Sequence, residues 1–171
     1  MPNPVVVADG TIGTLTIAAR GFACALGKGG VVPADSKREG DMATPAGTWK
    51  LRAGFWRADR LARPRGALPF RAIEPDMLWD DDPASPSYNT LVRRDAPDHP
   101  ERLMRADGVY DVVVPLGFND DPIVPGRGSA IFLHVARPDY RPTAGCVALA
   151  LPDLLAVLET LDADPAIEIR G

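Results

Sequence analysis

Short runs with apolar residues at alternate positions dominate this chain, and few segments keep a helical period. Residues 5–8 and 13–20 are β-branched or alternating, and Asp9-Gly10 lies between them. That dipeptide favours a tight hairpin because glycine tolerates positive φ, so an opening hairpin or meander is predicted. Residues 22–26 predict another short strand, which ends in Gly27-Lys28-Gly29-Gly30. Residues 32–47 then read as a loop. The recurrence of Trp49, Leu51 and Phe55 predicts a strand over residues 48–56, and residues 71–79 form a weaker apolar stretch. Residues 80–107 are acidic and broken by Pro83, Pro86, Pro97 and Pro100. Loops of that length inside a domain are usually functional or disordered, and Trp79, Tyr88 and Leu91 make this one a packed flap over a cleft.

The strongest strand patterns cover residues 109–118 and 129–136, each dense in Val, Ile, Leu and aromatics and bounded by Gly, Pro or Asp. Both are expected to be central. One helix follows, opened by Pro152-Asp153 and carrying Leu154, Leu155, Val157, Leu158 and Leu161 on one face. Asp162-Ala163-Asp164-Pro165 stops it, and residues 166–169 form a last strand. The pattern predicts a mostly β, β-rich α+β domain with one late helix.

Composition narrows the function more than the fold. At 171 residues the chain reads as one domain, 1–171, with enough length to bury a core. Its 18 Pro and 16 Gly favour many short elements joined by turns. A net charge of -4, with Lys and Arg scattered, gives no long-range attraction for nucleic acid. No stretch approaches the ~20 apolar residues of a spanning helix, and the start Met1-Pro2-Asn3-Pro4 lacks the basic and apolar regions of a signal peptide. Cytoplasmic residence and a trimmed leader are both compatible with that start.

Only two cysteines are present, Cys24 and Cys146, too few for a disulfide framework, though a single bridge between them is allowed. Cys24, between Ala23 and Ala25, reads as a small buried hydrophobe. Cys146 follows Gly145 and lies 12 residues after His134. A strand ending near His134 and a loop folding back would bring imidazole and thiol together, as nucleophilic cysteine catalysis needs. Free cysteine has a pKa of about 8.5, and a neighbouring imidazolium lowers it. Gly145 lets the backbone turn sharply, and the amides of Gly145 and Cys146 are candidate oxyanion donors. The plainer alternative is a core cysteine and a core histidine. His99, beside Asp98 and Pro100, reads as solvated surface.

Around these residues the chain resembles the YkuD-type L,D-transpeptidases, whose signature is an upstream His followed by Ser or Thr, His, Gly, Cys, a hydrophobe, then Arg or Asn. Thr143, Gly145, Cys146 and Val147 match it, and the segments 37–41, 43–48, 110–111 and 128–134 agree with one branch of that family. Ala144 stands where the second His is usual, and Ala148 where Arg or Asn is usual. Arg141, or else Arg137, is the candidate to supply the missing positive charge to a substrate carboxylate. Thr143 is a candidate substrate contact, Tyr110 and Asn119 are further candidates to face the cleft, and residues 35–41 are assigned a structural role.

The resemblance implies a mixed sheet or sandwich and a cell-envelope enzyme, periplasmic in its setting, that acts on peptidoglycan stem peptides. In that chemistry Cys146 forms a thioester with a stem peptide, and a diaminopimelate amine of a second stem accepts the acyl group. The donor is an L-alanine (1,3 link) or a diaminopimelate (3,3 link), and the Thr-Ala-Gly-Cys motif leans toward the first. A carboxypeptidase or endopeptidase passing the same thioester to water, and a non-catalytic wall-binding module, are the alternatives. No metal or diffusible cofactor is called for. The spacing around Gly21 to Lys28 fails a phosphate loop by one residue, the His and Cys residues lack paired zinc spacing, and Asp80-Asp81-Asp82 lacks a calcium-loop pattern.

Overall fold

Asp9-Gly10 turns the chain as its sequence suggests, with Gly10 at φ +69°. It joins β1 (Val5–Asp9) to β2 (Ile12–Ile17), which pair antiparallel from Val5 opposite Thr16 to Asp9 opposite Ile12. Along β2, Gly13, Leu15 and Ile17 are buried and the residues between them exposed, as expected of a strand with one covered face. The computed structural model describes residues 3–171; Met1 and Pro2, part of the start read above for a leader, lie outside them.

β2 stops short of its expected end. Ala18 and Ala19 take φ +48° and +62°, closing a second hairpin onto β3 (Arg20–Ala25). A two-residue hairpin loop with positive φ at both positions usually carries Gly or Asn, so two alanines gave no turn signal. The 32–47 region is also more ordered than a loop. It holds β4 (Val31–Val32), a 3-10 turn at Ala34–Ser36 and β5 (Thr44–Pro45), with β4 and β5 parallel.

The single strand expected over residues 48–56 is two, β6 (Gly47–Lys50) and β7 (Gly54–Trp56). Likewise, residues 71–79 divide into β8 (Phe70–Ala72) and β9 (Met77–Trp79), and the flap contributes β10 (Leu91–Arg93), antiparallel to β9. Then come β11 (Val112–Pro115), β12 (Phe132–Val135), β13 (Val147–Leu149), α1 (Leu151–Thr160) and β14 (Ala166–Arg170). β13 lies between the cysteine turn and the helix, where no strand was expected.

Ten strands form one mixed sheet in the order β6-β14-β1-β2-β3-β13-β12-β11-β7-β8. It curls until its first strand meets an interior one: Leu51 bridges Leu116, and the Arg52 amide donates to the Pro115 carbonyl at 2.9 Å. β6 and β7, adjacent in sequence, therefore serve distant parts of the sheet. Inside the curl, Leu154, Val157 and Leu158 of α1 share one apolar cluster with Leu15, Leu133, Leu149 and Ile167. Each such fully buried side chain contributes roughly 1.5–3 kcal/mol. Pro152 and Asp153 occupy the first turn of α1, as expected.

The alternation along β12 and β13 sets up the site. Leu133, Val147 and Leu149 point into the helix-side core, whereas Phe132 and Cys146 belong to a second cluster with Met77, Leu103, Tyr110 and Val113. Residues 132 and 134 share one strand face, so His134 lies on the flap side of the sheet. Among the described residues no helix is long and apolar enough to cross a membrane.

Candidate active site

β12 and β13 run parallel with Leu133 opposite Val147 and His134 opposite Ala148. One residue earlier, Phe132 faces Cys146, and its amide donates to Cys146 Sγ at 3.3 Å. The same ladder therefore places the thiol and the imidazole on one face, two residues apart in register. Both line a cavity of about 320 Å³, together with Tyr110, Glu101, Arg105 and Arg141. Thr143 and Arg137 line it too, whereas Asn119 does not. Asn119, at φ +51°, instead accepts from the Val124 amide and donates to the carbonyls of Val124 and Gly128. It closes its own loop, which corrects the expectation that it faces the cleft.

The cysteine turn is held from three sides. Thr143 exchanges backbone hydrogen bonds with Leu26 and Lys28, at 2.9 Å each. Its hydroxyl donates to the Cys146 carbonyl at 2.8 Å and accepts from the Gly145 amide at 3.1 Å. The Thr143 hydroxyl is thus engaged inside the turn while the residue lines the cavity, and it takes up one of the two amides expected to face an oxyanion. Gly145 has φ +129°, and a Cβ there would meet the Ala43 carbonyl oxygen at 2.8 Å and Ile131 Cδ1 at 3.1 Å. Glycine is required by both conformation and space. Behind the turn, buried Lys37 bonds Asp41 at 2.6 Å, and Asp41 accepts from the amides of Arg38 and Ala43. Lys37 and Asp41 thus have the structural role assigned to residues 35–41, whereas Glu39 and Gly40 line the cavity.

His134 Nδ1 lies 2.9 Å from the Val135 carbonyl. A carbonyl only accepts, so Nδ1 carries the proton and Nε2 is left with its lone pair, the tautomer a base needs. No hydrogen bond joins His134 to Cys146 among the described residues; the thiol donates to the Ala130 carbonyl at 3.2 Å. Burial pushes the imidazole down to about 4, with Arg105 and Arg137 adding to the effect against the Val135 bond. Burial also pushes the Cys146 thiol up to about 12, opposed by the Phe132 amide. The resting pair is therefore neutral imidazole and thiol, not the ionised pair expected from proximity. Catalytic hydrogen bonds are often long without substrate and shorten only in the reacting complex.

Several groups in the cavity carried no sequence signal. Glu101 Oε2 accepts from the Tyr110 hydroxyl at 2.7 Å, and burial pushes its carboxyl up to about 7. The Tyr110 ring packs edge-on against His134 at 5.5 Å and Phe132 at 5.6 Å. Arg105 lies over Tyr110 at 5.1 Å and pairs with Asp107 at 2.7 Å, which Arg137 also reaches at 3.0 Å. This arginine pair sits near His134, whereas Arg141 is exposed and paired with Asp139. Ala148, which replaces the family's Arg or Asn, is buried opposite His134. His99, expected as solvated surface, is partly buried; its Nδ1 accepts from the Glu101 amide at 3.1 Å. Glu101, Arg105 and Asp107 all lie in the flap, where charge reads as solvation until the fold is known.

Both cysteines are free, with Cys24 fully buried in the helix-side core, far in character from the cavity. Among the described residues no group of three or more His, Cys, Asp or Glu is arranged to hold a metal ion.

No curated protein sequence matches the chain. Similar solved structures include an L,D-transpeptidase from Mycobacterium smegmatis, at 13% identity and TM-score 0.44, covering 99% of this chain and 59% of that one. Mycobacterium tuberculosis L,D-transpeptidase 1 is similar at 15% identity and TM-score 0.43, with 99% and 60% covered. The chain spans about 60% of the length of these structures. The family model of the L,D-transpeptidase catalytic domain matches residues 5–169, nearly the whole chain. The chain belongs to the YkuD family of L,D-transpeptidase catalytic domains.

Proposed function

We propose that this protein cross-links peptidoglycan stem peptides in the cell envelope through a thioester on Cys146. The observation that carries this reading is the shared cavity: Cys146 and His134 open onto one space from neighbouring parallel strands. The mixture of acids and arginines around it suits a peptide bearing both ammonium and carboxylate groups, with Arg141, or else Arg137, as the carboxylate partner.

In the first half-reaction a donor carbonyl of an L-configured residue enters beside Sγ. His134 Nε2 takes the thiol proton as the sulfur attacks, which avoids a free thiolate in an apolar setting. The Cys146 amide is the remaining candidate donor to the oxyanion. The carbon–nitrogen bond then breaks, and the imidazolium returns the proton to the departing amine. In the second half-reaction the amine of another stem attacks the thioester and frees the cysteine. The donor proposed is L-alanine, giving a 1,3 link, with the diaminopimelate 3,3 link as the other product to be sought.

Incubation with purified stem peptides followed by mass analysis tests this. Cross-linked dimers, lost in Cys146→Ala, support transfer, and fragmentation of the dimer reports the link. Trimmed monomers without dimers would make the enzyme a hydrolase. Unchanged peptides with both proteins, with wall association retained, would leave a binding module.

A further inference from the structure

The second half-reaction would gain from a proton acceptor that a Cys–His pair does not supply. An aliphatic amine with an ordinary pKa near ~10 arrives at neutral pH as an ammonium. Its nitrogen carries three hydrogens, and the amide it becomes keeps one. Two protons must leave. One ends on the cysteine sulfur as the carbon–sulfur bond breaks, delivered through His134. The other is lost to water before binding, which leaves only a small neutral fraction at pH 7, or passes to a second acceptor within the cleft.

We propose that Glu101 is that acceptor: its carboxylate binds the incoming ammonium of the acceptor stem and takes its first proton. The inference rests on the transpeptidase reading above and assigns a further residue to it. Glu101 lines the same cavity as Cys146 and His134. One of its oxygens, Oε2, is fixed by the Tyr110 hydroxyl at 2.7 Å, and Tyr110 is in turn packed against His134. The other oxygen, Oε1, accepts no hydrogen bond among the described residues and is open to a ligand.

The surroundings set its basicity. Burial disfavours the anion and Asp81 and Glu39 add like charge, while the Tyr110 hydroxyl and Arg105 favour it. The resulting pKa of about 7 is that of a carboxyl able to exchange a proton at working pH, which is where general bases are most effective. Arg105 does not compete for the carboxylate, because its guanidinium nitrogens bond Asp107 and the Pro100 carbonyl.

The carboxylate takes one proton from the ammonium, leaving a neutral amine and a carboxylic acid. The amine lone pair attacks the thioester carbon, and His134 takes the second proton as the new bond forms. The carbon–sulfur bond then breaks with its electron pair on sulfur, which recovers a proton from the imidazolium. Glu101 finally loses its proton to water.

The test separates the two halves of the reaction in the intact protein. With a donor stem peptide alone, intact mass follows thioester formation; adding a second stem bearing a free diaminopimelate amine follows transfer. E101Q is expected to acylate and then stall, with transfer at pH 7 lowered about 10²-fold, a typical general-base contribution. The defect should shrink toward pH 10, where the amine is already neutral, and with hydroxylamine as acceptor, which is uncharged at pH 7. E101D, which keeps the carboxylate, should transfer faster than E101Q. Transfer by E101Q at the wild-type rate overturns the assignment, as does a defect equal for hydroxylamine and ammonium acceptors, or equal loss of acylation and transfer in both variants. A wild-type protein that forms no thioester overturns the transpeptidase reading itself, and this role with it.

Discussion

The Phe132 amide donates to Cys146 Sγ at 3.3 Å, so the sulfur is held by the backbone of the strand that carries His134. This contact stabilises the anion, yet burial outweighs it and leaves the thiol near 12. Under the proposed function, this geometry stores a thiol and releases a nucleophile only when a base and a carbonyl are both in place.

Reactivity in the free protein is the first consequence. At pH 8 a thiol of pKa about 12 has a thiolate fraction on the order of a thousandfold below that of an ordinary cysteine. Iodoacetamide should label native Cys146 slowly between pH 6 and 9, and Cys24, also pushed up to about 12, more slowly still. Intact mass against time measures both. A labelling rate that rises and saturates below pH 7 would show a preformed thiolate instead.

Stability should respond to pH through two groups of opposite sign. His134 is lowered from 6.5 to about 4, so below pH 6.5 the unfolded chain binds a proton that the folded one refuses. Its contribution is lost as pH falls toward 4, by up to about 3 kcal/mol. Glu101 is raised from 4.5 to about 7, so its contribution is lost as pH rises from 4.5 to 7. Over pH 4.5–6.5 the two offset each other in the wild type. Urea unfolding should show His134→Asn gaining relative stability toward pH 4.5 and Glu101→Gln gaining it toward pH 7. Parallel profiles for all three proteins would contradict the burial of both groups.

Gly145 sets the direction of the turn, and Gly145→Ala forces both an unfavourable φ and a 2.8 Å contact with the Ala43 carbonyl. A loss of about 1–3 kcal/mol is expected, with thioester formation impaired beyond what unfolding explains. Thermal melting and the acylation rate of the folded fraction measure the two effects. A wild-type melting temperature would show that the turn yields freely.

Thr143 offers a milder change in the same turn. Thr143→Val removes the hydroxyl that bridges the Gly145 amide and the Cys146 carbonyl, at a cost of about 1–3 kcal/mol for the unsatisfied groups. Thr143→Ser keeps it and should retain both stability and turnover. If the hydroxyl contacted substrate instead, Val would raise KM and leave the melting temperature unchanged.

Much of the fold was legible where periodicity and turn chemistry agree. The hairpin at Asp9-Gly10, the strand through His134 and the helix after Pro152 all declare themselves within a few residues. Other boundaries were hidden by long-range pairing. Nothing local tells that Gly47–Lys50 joins β14 while Gly54–Trp56 joins β11, because the sheet closes on itself between them. The spacing, the Gly-Cys turn and the family resemblance together led to the cysteine and histidine, and both line one cavity. Glu101 could not be found that way, since an acid in a Pro-rich charged segment looks solvated until Tyr110 is seen beneath it. Asn119 erred the other way: closeness to a central strand in sequence placed it in a loop that turns from the cavity.

The central claim is that one sulfur carries the acyl group. Incubating the protein with a donor stem peptide, quenching in acid and mapping the modified peptide by mass spectrometry tests it most directly. The expected result is a hydroxylamine-labile adduct on the peptide containing Cys146, absent from Cys146→Ala and much slower to form in His134→Asn. Cross-linked product made by Cys146→Ala, or an adduct on any other residue, would contradict it.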